Sequence, residues 1–245
     1  MREPSRDDLE RLADLAPARQ LLYAYLASAF SEPPCEDSLN ALRQQPFIDA
    51  AKVLFREAES SVMREDRLAS AASTEGLESA RQEFANLFIV PGPQYVTPYE
   101  SVFRDTREVA GEPVKGLLMG QPAMDVMQWY RLAALEIAEE YEELPDHIGL
   151  ELNYLSELCA KEVEFAAEGN TSKLSRAREM QRDFLAGHVV LWVDDLCEKI
   201  HQKTRLPYFR MVASMASEVA RRDLTTLEGL LGPSCGKSAP QPSLA

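Results

Sequence analysis

Long apolar runs are missing from this 245-residue sequence, and their absence excludes a membrane-spanning helix. No uninterrupted apolar stretch approaches the roughly 20 residues that a bilayer requires. The N-terminal segment at 1–8 is charged and is followed by no apolar core, so it does not resemble a secretory signal. These two absences predict a protein that stays in the cytoplasm and has no stable insertion in a membrane.

Basic charge and paired cysteines are also scarce. The chain has 26 Lys and Arg against 40 Asp and Glu, a formal net charge of −14, which argues against a nucleic-acid partner because phosphates require basic surface. Charge alone is compatible with an ordinary acidic surface or with a surface that attracts a basic partner. No Cys-x-x-Cys pair occurs, so we expect neither a disulfide framework nor a structural zinc site. Cys159 and Cys197 fall at apolar helical positions and are expected to be buried thiols.

Strand signals are almost absent as well. Most segments show an apolar period of 3.6 residues, and alternating β-branched runs bounded by turns do not occur. The sequence therefore predicts an all-α fold with a single helical-bundle-like domain of about ten helices at 16–232. An N-terminal segment at 1–15 precedes this domain, and a tail at 233–245, rich in Pro, Ser and Gly, is expected to be disordered.

The helices are expected where the apolar period begins and ends. Pro17 fits the first turn of its helix, where a missing N–H costs nothing. Asp146 is well placed to cap the helix that follows it. The predicted helices lie at 16–30, 37–45, 47–69, 75–88, 104–111, 121–144, 148–168, 172–187, 188–203 and 207–223.

A long Pro-rich loop at 89–103 interrupts the helices near the middle of the chain. Its prolines are incompatible with a regular helix or a central strand, and a loop of this length in a compact domain is usually functional. A groove beside such a loop could hold an apolar peptide against Phe88 and Tyr99. Phe84 and Leu87 could equally be ordinary core, because they fit the apolar stripe of the preceding helix.

Asp146 and His147 stand at a predicted helix start. They could form a polar anchor or proton-transfer pair facing a groove, or simply a capping Asp with an ordinary neighbour. A helix N-terminus lowers the pKa of a histidine, so we expect His147 to be neutral. The acidic run at 136–143 is either a solvated helix face or a surface for an arginine-bearing peptide, where guanidinium–carboxylate pairs would form.

No metal-binding or catalytic signature is complete. Glu198 and His201 have the Glu-x-x-His spacing of di-iron bundles, but the motif has no second copy, and Cys197 with His201 gives only two ligands. Gly-x-Ser-x-Gly, Gly-x-Gly-x-x-Gly and Gly-x-x-x-x-Gly-Lys-Ser/Thr motifs are all absent. A hydrolase using Asp146 and His147 would lack a nucleophile. We therefore expect no catalytic residue, no metal and no cofactor.

Several motifs, taken in their order and spacing, resemble the TorD/DmsD family of cytoplasmic chaperones for molybdoenzymes, within the wider group of NarJ-like proteins. The sequence at 84–88 is similar to the family's aromatic-x-x-Leu-Phe motif, and Pro-Tyr-Glu-Ser-Val-Phe follows at 98–103. Leu-Pro-Asp-His at 144–147 with Glu151 resembles the family's Asp-His signature. The C-terminal helices contain further similar positions, among them His188 and Trp192. The similarity covers roughly 17–230.

The resemblance implies an all-helical protein without enzymatic activity. Such a protein binds the twin-arginine signal peptide of an apo-molybdoenzyme and holds it until the molybdenum cofactor has been inserted, so that premature export is prevented. The alternative is a NarJ-like assembly factor that binds the catalytic subunit without signal-peptide proofreading. A monomer and a domain-swapped dimer are both compatible with the long loop. The expected peptide-binding residues are Phe84, Leu87, Phe88, Pro98, Tyr99, Glu100, Ser101, Asp146 and His147.

Overall fold

A computed structural model describes residues 6–55, 64–71, 76–109, 112–137 and 143–234. Within these ranges the chain forms eleven α-helices and a single two-stranded hairpin, so the all-α prediction is confirmed. The α-helices are α1 (Arg6–Ser31), α2 (Glu36–Ala41), α3 (Gln45–Leu54), α4 (Glu65–Ala71), α5 (Leu77–Phe84), α6 (Glu100–Arg104), α7 (Gln121–Leu132), α8 (Ile148–Ala167), α9 (Thr171–Gly187), α10 (Val193–Lys203) and α11 (Pro207–Leu231).

The core is built around the packing of α1 on α8, the most extensive contact between any two described elements. Buried Leu22 and Leu26 of α1 and Leu152 and Leu155 of α8 belong to the same apolar cluster. The predicted start of the first helix was wrong, because α1 already begins at Arg6. Pro17 consequently lies inside the helix and not in its first turn.

The helices predicted at 47–69 and 75–88 are each divided. Phe55 adopts an extended conformation (φ −117°, ψ 132°) and ends α3, so the continuous helix was wrong there, while 56–63 lie outside the described residues. The second helix changes character after Phe84, where a π-helical turn at Ala85–Ile89 replaces the last α-helical turn. The backbone therefore bulges where the proline-rich loop begins.

The helix predicted at 104–111 was also wrong. Strand β1 (Thr106–Val109) pairs antiparallel with strand β2 (Glu112–Lys115), and Val109 lies opposite Glu112. This register leaves two residues, 110 and 111, for the connection, which is the length of a tight hairpin turn. Both fall outside the described residues.

The long helix predicted at 121–144 ends early. Ala134 has φ of 54°, a left-handed conformation that stops α7, and the chain at 135–137 is not helical. Of the predicted acidic face, 138–142 lie outside the described residues, and Glu143 lies in the loop before α8. Helices α8, α9 and α11 otherwise lie close to where they were predicted, with α11 extending to Leu231. The helix predicted at 188–203 was wrong at its start, because a 3-10 turn at Val189–Leu191 precedes α10, which begins at Val193.

A fully buried ionic network joins four helices. Arg19 of α1 pairs with Glu162 of α8 (3.0 Å) and with Asp223 of α11 (2.6 Å). Arg178 of α9 pairs with the same Glu162 at 2.6 Å. Tyr23 donates its hydroxyl to Asp223 at 2.8 Å. Each charge has an opposite partner, as burial requires.

The described cysteines are free thiols. Cys159 and Cys197 are buried, as their apolar positions predicted, and Cys35 is exposed. Cys235 and the rest of 235–245 fall outside the described residues, so the proposed division into segment, domain and tail stays a prediction. No helix within the described ranges combines the length and apolar character that crossing a membrane would need.

Candidate functional site

The π-helical turn places Phe88 in an aromatic cluster. Its ring lies edge-on to Phe84 (5.3 Å between centroids), to Phe30 of α1 (5.9 Å) and to Phe209 of α11 (6.2 Å). The turn is closed by a bond from the Val90 N–H to the Ala85 carbonyl, 2.8 Å long. Such π-helical turns occur frequently at functional sites, because they redirect side chains that an α-helix would place elsewhere.

Exposure changes abruptly along this turn. Phe84 and Leu87 are buried and form part of the core, whereas Phe88 is half-buried. The next two residues, Ile89 and Val90, are 59% and 52% exposed, so the turn leads from the core to an apolar surface at the start of the loop.

The other end of the proline-rich loop lies against the start of α8. Tyr99 and His147 form an isolated antiparallel bridge, and their rings meet edge-on at 5.3 Å. The Glu100 N–H donates to the Asp146 carbonyl (3.0 Å), and the Ile148 N–H donates to the Pro98 carbonyl (2.9 Å). Backbone bonds therefore join the two segments that the sequence had suggested as parts of one site. We call this contact the loop–helix junction.

Asp146 holds the loop and does not cap α8. Its Oδ2 accepts from the Ser101 N–H at 2.8 Å and from the Ser101 hydroxyl. The Ser101 Oγ in turn accepts from the Gly120 N–H at 3.0 Å. Burial raises the pKa of Asp146, while the hydrogen bonds from Ser101 oppose that shift. The predicted cap was wrong because His147, one residue nearer to α8, occupies the N-cap position.

His147 supplies the helix cap instead. Its Nδ1 accepts from the Gly149 N–H at 3.0 Å, so the proton of the neutral ring is on Nε2. Burial lowers the pKa of His147 to about 4. The neutral form predicted from the sequence is confirmed, although burial, and not the helix N-terminus, is the main cause.

A second layer of polar side chains lies behind the junction. Glu100 contacts His188 Nδ1 at 2.9 Å and pairs with Arg104. Trp192 Nε1 donates to Glu151 at 3.2 Å. Burial, followed by the nearby carboxylates of Glu100 and Asp146, raises the pKa of Glu151 well above its usual range.

Only some residues of this polar layer could be identified from the sequence. Glu151, His188 and Trp192 were noted solely because they match the family motifs. A polar residue on an otherwise apolar helix face, such as Glu151 between Ile148 and Leu155, indicates a buried polar network, but it does not identify the partner.

A groove lies between α1 and the first half of α8 and is bordered by the chain that follows α7. None of the nine expected peptide-binding residues lines it. Its volume is about 460 Å³. Ala27, Leu135 and Ile137 contribute to its apolar lining. The exposed side chains of Glu32, Glu136 and Glu157 also line it, while no lysine or arginine does so within the described part of the chain. We call this feature the α1–α8 groove. Sequence reasoning had pointed only to Glu136, as part of the acidic run.

Gly149 allows the close approach of α1 and α8 at the groove. A Cβ atom at this position would overlap the Ser31 hydroxyl and would lie only 3.2 Å from the Ala27 carbonyl oxygen. The glycine thus brings the two helices together directly beside His147.

The nine expected peptide-binding residues fall into two groups. Phe84, Leu87 and Phe88 lie at the π-helical turn, and the other six form the loop–helix junction. The loop between the groups is attached to the turn, because the Val96 N–H donates to the Leu87 carbonyl at 2.8 Å. Only Phe88 and Tyr99 keep partial exposure, and the other seven side chains are buried. The peptide-binding role of all nine stays a prediction.

The potential metal ligands of α10 have other partners. The Cys197 thiol donates to the Ala213 carbonyl at 2.7 Å, and His201 Nε2 contacts the Ser214 hydroxyl at 2.8 Å. Within the described ranges, no three His, Cys, Asp or Glu side chains are arranged to hold a metal ion.

The fold is that of an all-helical protein, as the motifs led us to expect. The chain belongs to the nitrate reductase delta subunit family, whose model matches residues 56–198. The resemblance to the TorD and NarJ proteins is thereby confirmed.

Individual relatives match over most of the chain. The chaperone protein TorD of Vibrio cholerae serotype O1 (strain ATCC 39315) is 25% identical over 230 residues, which cover 91% of this chain and 97% of that protein. The chaperone protein TorD of Colwellia psychrerythraea is 21% identical over 244 residues, with 91% and 97% covered. A putative redox enzyme maturation protein from Archaeoglobus fulgidus matches 86% of this chain and 93% of its own, with 22% identity and a TM-score of 0.42.

Proposed function

We propose that this protein is a cytoplasmic chaperone that binds the twin-arginine signal peptide and the apo form of a molybdenum-cofactor oxidoreductase, and assists cofactor insertion before export. Membership of the TorD and NarJ family supports the chaperone class. The α1–α8 groove carries the proposal that a signal peptide binds, because a twin-arginine signal combines a cationic end with an apolar segment. The groove's apolar lining and its three carboxylates complement both parts.

Apolar burial supplies most of the affinity in this proposal. Apolar area removed from water contributes about 25 cal/mol per Å². An exposed guanidinium–carboxylate pair contributes at most about 1 kcal/mol, so Glu32, Glu136 and Glu157 mainly orient the arginines. Salt screens exposed pairs, so the peptide's affinity falls as ionic strength rises.

The loop–helix junction positions the peptide in this proposal. Half-buried Phe88 and Tyr99 offer ring surface at the two ends of the loop. Asp146 and His147 are buried and fix the loop to α8. The protein itself contributes no chemical step and holds no cofactor of its own. Its role is to retain the client's leader until the client is complete.

A peptide titration tests the groove. We expect the Glu32→Gln and Glu157→Gln double variant to bind a synthetic leader peptide, with two consecutive arginines and an apolar segment, about 5- to 30-fold more weakly at low salt, since two exposed pairs are lost. Isothermal titration calorimetry measures the affinity. The control is Glu164→Gln with Glu168→Gln, which changes the same charge at two exposed positions outside the groove, one in α8 and one directly after it. Equal affinities of the two double variants would exclude the groove.

The junction is tested with the same peptide and the variants Tyr99→Ala and Asp146→Ala. We expect both to bind more weakly, the first through lost ring contact and the second through release of the loop. If both variants bind as the unmodified protein does, these residues are not part of the site.

The family description, nitrate reductase delta subunit, favours a second candidate: an assembly factor that recognises the client's catalytic subunit without its leader. Binding of leaderless apoenzyme with no measurable binding of the free peptide would establish this second function. The reverse result would support the first.

A further inference from the structure

A second pocket, of about 430 Å³, lies among α4, the end of α10 and the start of α11, and its charge is opposite to that of the molecule. Arg67, Arg205 and Arg210 line it. Among the side chains that the structure describes, no aspartate or glutamate lines it, although the chain carries 40 acidic residues against 26 basic ones. We call it the arginine pocket.

Two of the three guanidinium groups are available for a ligand. The side chains of Arg67 and Arg205 are exposed, and neither has an ion-pair or hydrogen-bond partner within the described part of the chain. Arg210 is held in place, because its Nε donates to the Thr204 carbonyl (3.1 Å) and its Nη2 to the His201 carbonyl (3.4 Å). One fixed and two adjustable guanidinium groups therefore surround the same space.

Neutral donors complete the lining. Ser70 and Ser214 contribute hydroxyl groups, and Ser214 contacts His201 Nε2 at 2.8 Å. Burial, and then the positive charge of Arg210, lowers the pKa of His201, so the imidazole is neutral at physiological pH. This residue therefore offers hydrogen bonding without adding charge.

The start of α11 adds partial positive charge. Pro207, the first residue of this helix of 25 residues, lines the pocket. The first turn contains no acidic residue, and no side chain caps it. The helix dipole favours an anion there, while Pro207 itself has no N–H to donate.

We propose that the arginine pocket binds the phosphate group of a small phosphorylated organic molecule. Guanidinium groups form bidentate, charge-assisted bonds with phosphate oxygens, and the serine hydroxyls can donate to the oxygens that remain. Pockets for small molecules measure about 300–1,000 Å³, so this one has room for an organic group beside the phosphate. The inference does not depend on the proposal that a leader peptide binds elsewhere.

Calorimetry and backbone amide NMR with defined probes test this inference. Glycerol 3-phosphate and inorganic phosphate are titrated, with acetate and glycerol at matched ionic strength as comparisons. We expect saturable binding of glycerol 3-phosphate, with shifts in the amide signals near Arg205 and Ser214. The Arg67→Gln and Arg205→Gln double variant should bind it at least tenfold more weakly.

The matched control is Arg131→Gln with Arg176→Gln, two exposed arginines outside the pocket. It removes the same charge and should leave binding unchanged. Thermal unfolding verifies that both double variants are folded. Absence of saturable binding, equal weakening in the two double variants, or acetate binding as tightly as the phosphate probes would overturn the proposal. Inorganic phosphate binding as tightly as glycerol 3-phosphate would show that the organic part is wrong.

Discussion

Single side chains decide how the loop–helix junction is held together. Ser101 contacts both Asp146 and Gly120, and so connects the loop to the starts of α8 and α7. His147 caps α8 only while its Nδ1 is unprotonated, which its lowered pKa of about 4 ensures at neutral pH. Each of these residues therefore contributes to the geometry of the junction from a buried position.

Glu151 provides a test of the buried carboxylates. Its pKa is raised by burial, so the folded state binds its proton more tightly than the unfolded state does. The stability of the protein must then fall as pH rises above the unfolded value of about 4.5 towards the folded value. We expect Glu151→Gln to remove this part of the slope and to stabilise the protein at pH 8, by about 1.4 kcal/mol for each unit of pKa elevation.

Urea denaturation of both proteins between pH 4 and pH 8 measures the difference. The exposed Glu164→Gln on the same helix is the control and should change stability little. Parallel pH profiles for Glu151→Gln and the unmodified protein would show that folding does not raise the pKa of Glu151.

The sequence drew attention to Asp146 and His147, but it did not show that His147 caps α8 while Asp146 binds the loop. Either residue could accept from the first turn of α8. The N-cap position falls on His147, while Ser101, which is 45 residues away from Asp146 in the sequence, binds Oδ2 of the Asp146 carboxylate. Local propensity cannot identify a partner so distant in the sequence.

At the scale of the elements, the close approach of α1 and α8 depends on Gly149. We expect Gly149→Ala to destabilise the protein by about 1–3 kcal/mol, because the new methyl group meets the Ala27 carbonyl, which cannot move independently of α1. Gly229→Ala in α11 is the matched control, since nothing lies within 4 Å of its Cβ position. It should stabilise the protein by up to about 1 kcal/mol, because alanine favours helix.

Chemical denaturation distinguishes these two glycines. A stabilising Gly149→Ala would mean that the two helices can separate without cost. The groove beside His147 would then not be fixed by their packing.

The apolar period predicted which segments are helical, but not where several of them end. α7 ends at Leu132, and Ala134 then adopts a left-handed conformation, which an alanine in the sequence does not predict. The hairpin at 106–115 is too short to show a period of two against a background of helices. The π-helical turn depends on the packing of Phe88 against Phe30 and Phe209 from distant helices.

At the scale of the whole molecule, the buried ionic network holds four helices in register. We expect Arg19→Met to destabilise the protein by about 3–5 kcal/mol, because Asp223 loses the arginine with which it pairs, while Glu162 keeps Arg178 and the Gln181 amide. Arg221→Met is the control, since its pair with Asp194 is exposed and should contribute at most about 1 kcal/mol.

Free energies of unfolding from urea titrations measure both effects. Similar losses in the two variants would show that the network contributes no more than a surface pair. Nothing in the sequence identified Arg19 as buried, because its partner Glu162 lies 143 residues further along the chain.

These long separations determine the order of events on the ribosome. Arg19 is synthesised before Asp223 of α11, which is one of its two carboxylate partners. The Tyr23 hydroxyl also binds Asp223, which lies 200 residues further along the chain. At a translation rate of about 5–20 residues per second, that interval lasts roughly 10–40 s. Arg19 and Tyr23 of the nascent α1 therefore lack this partner until Asp223 has left the exit tunnel.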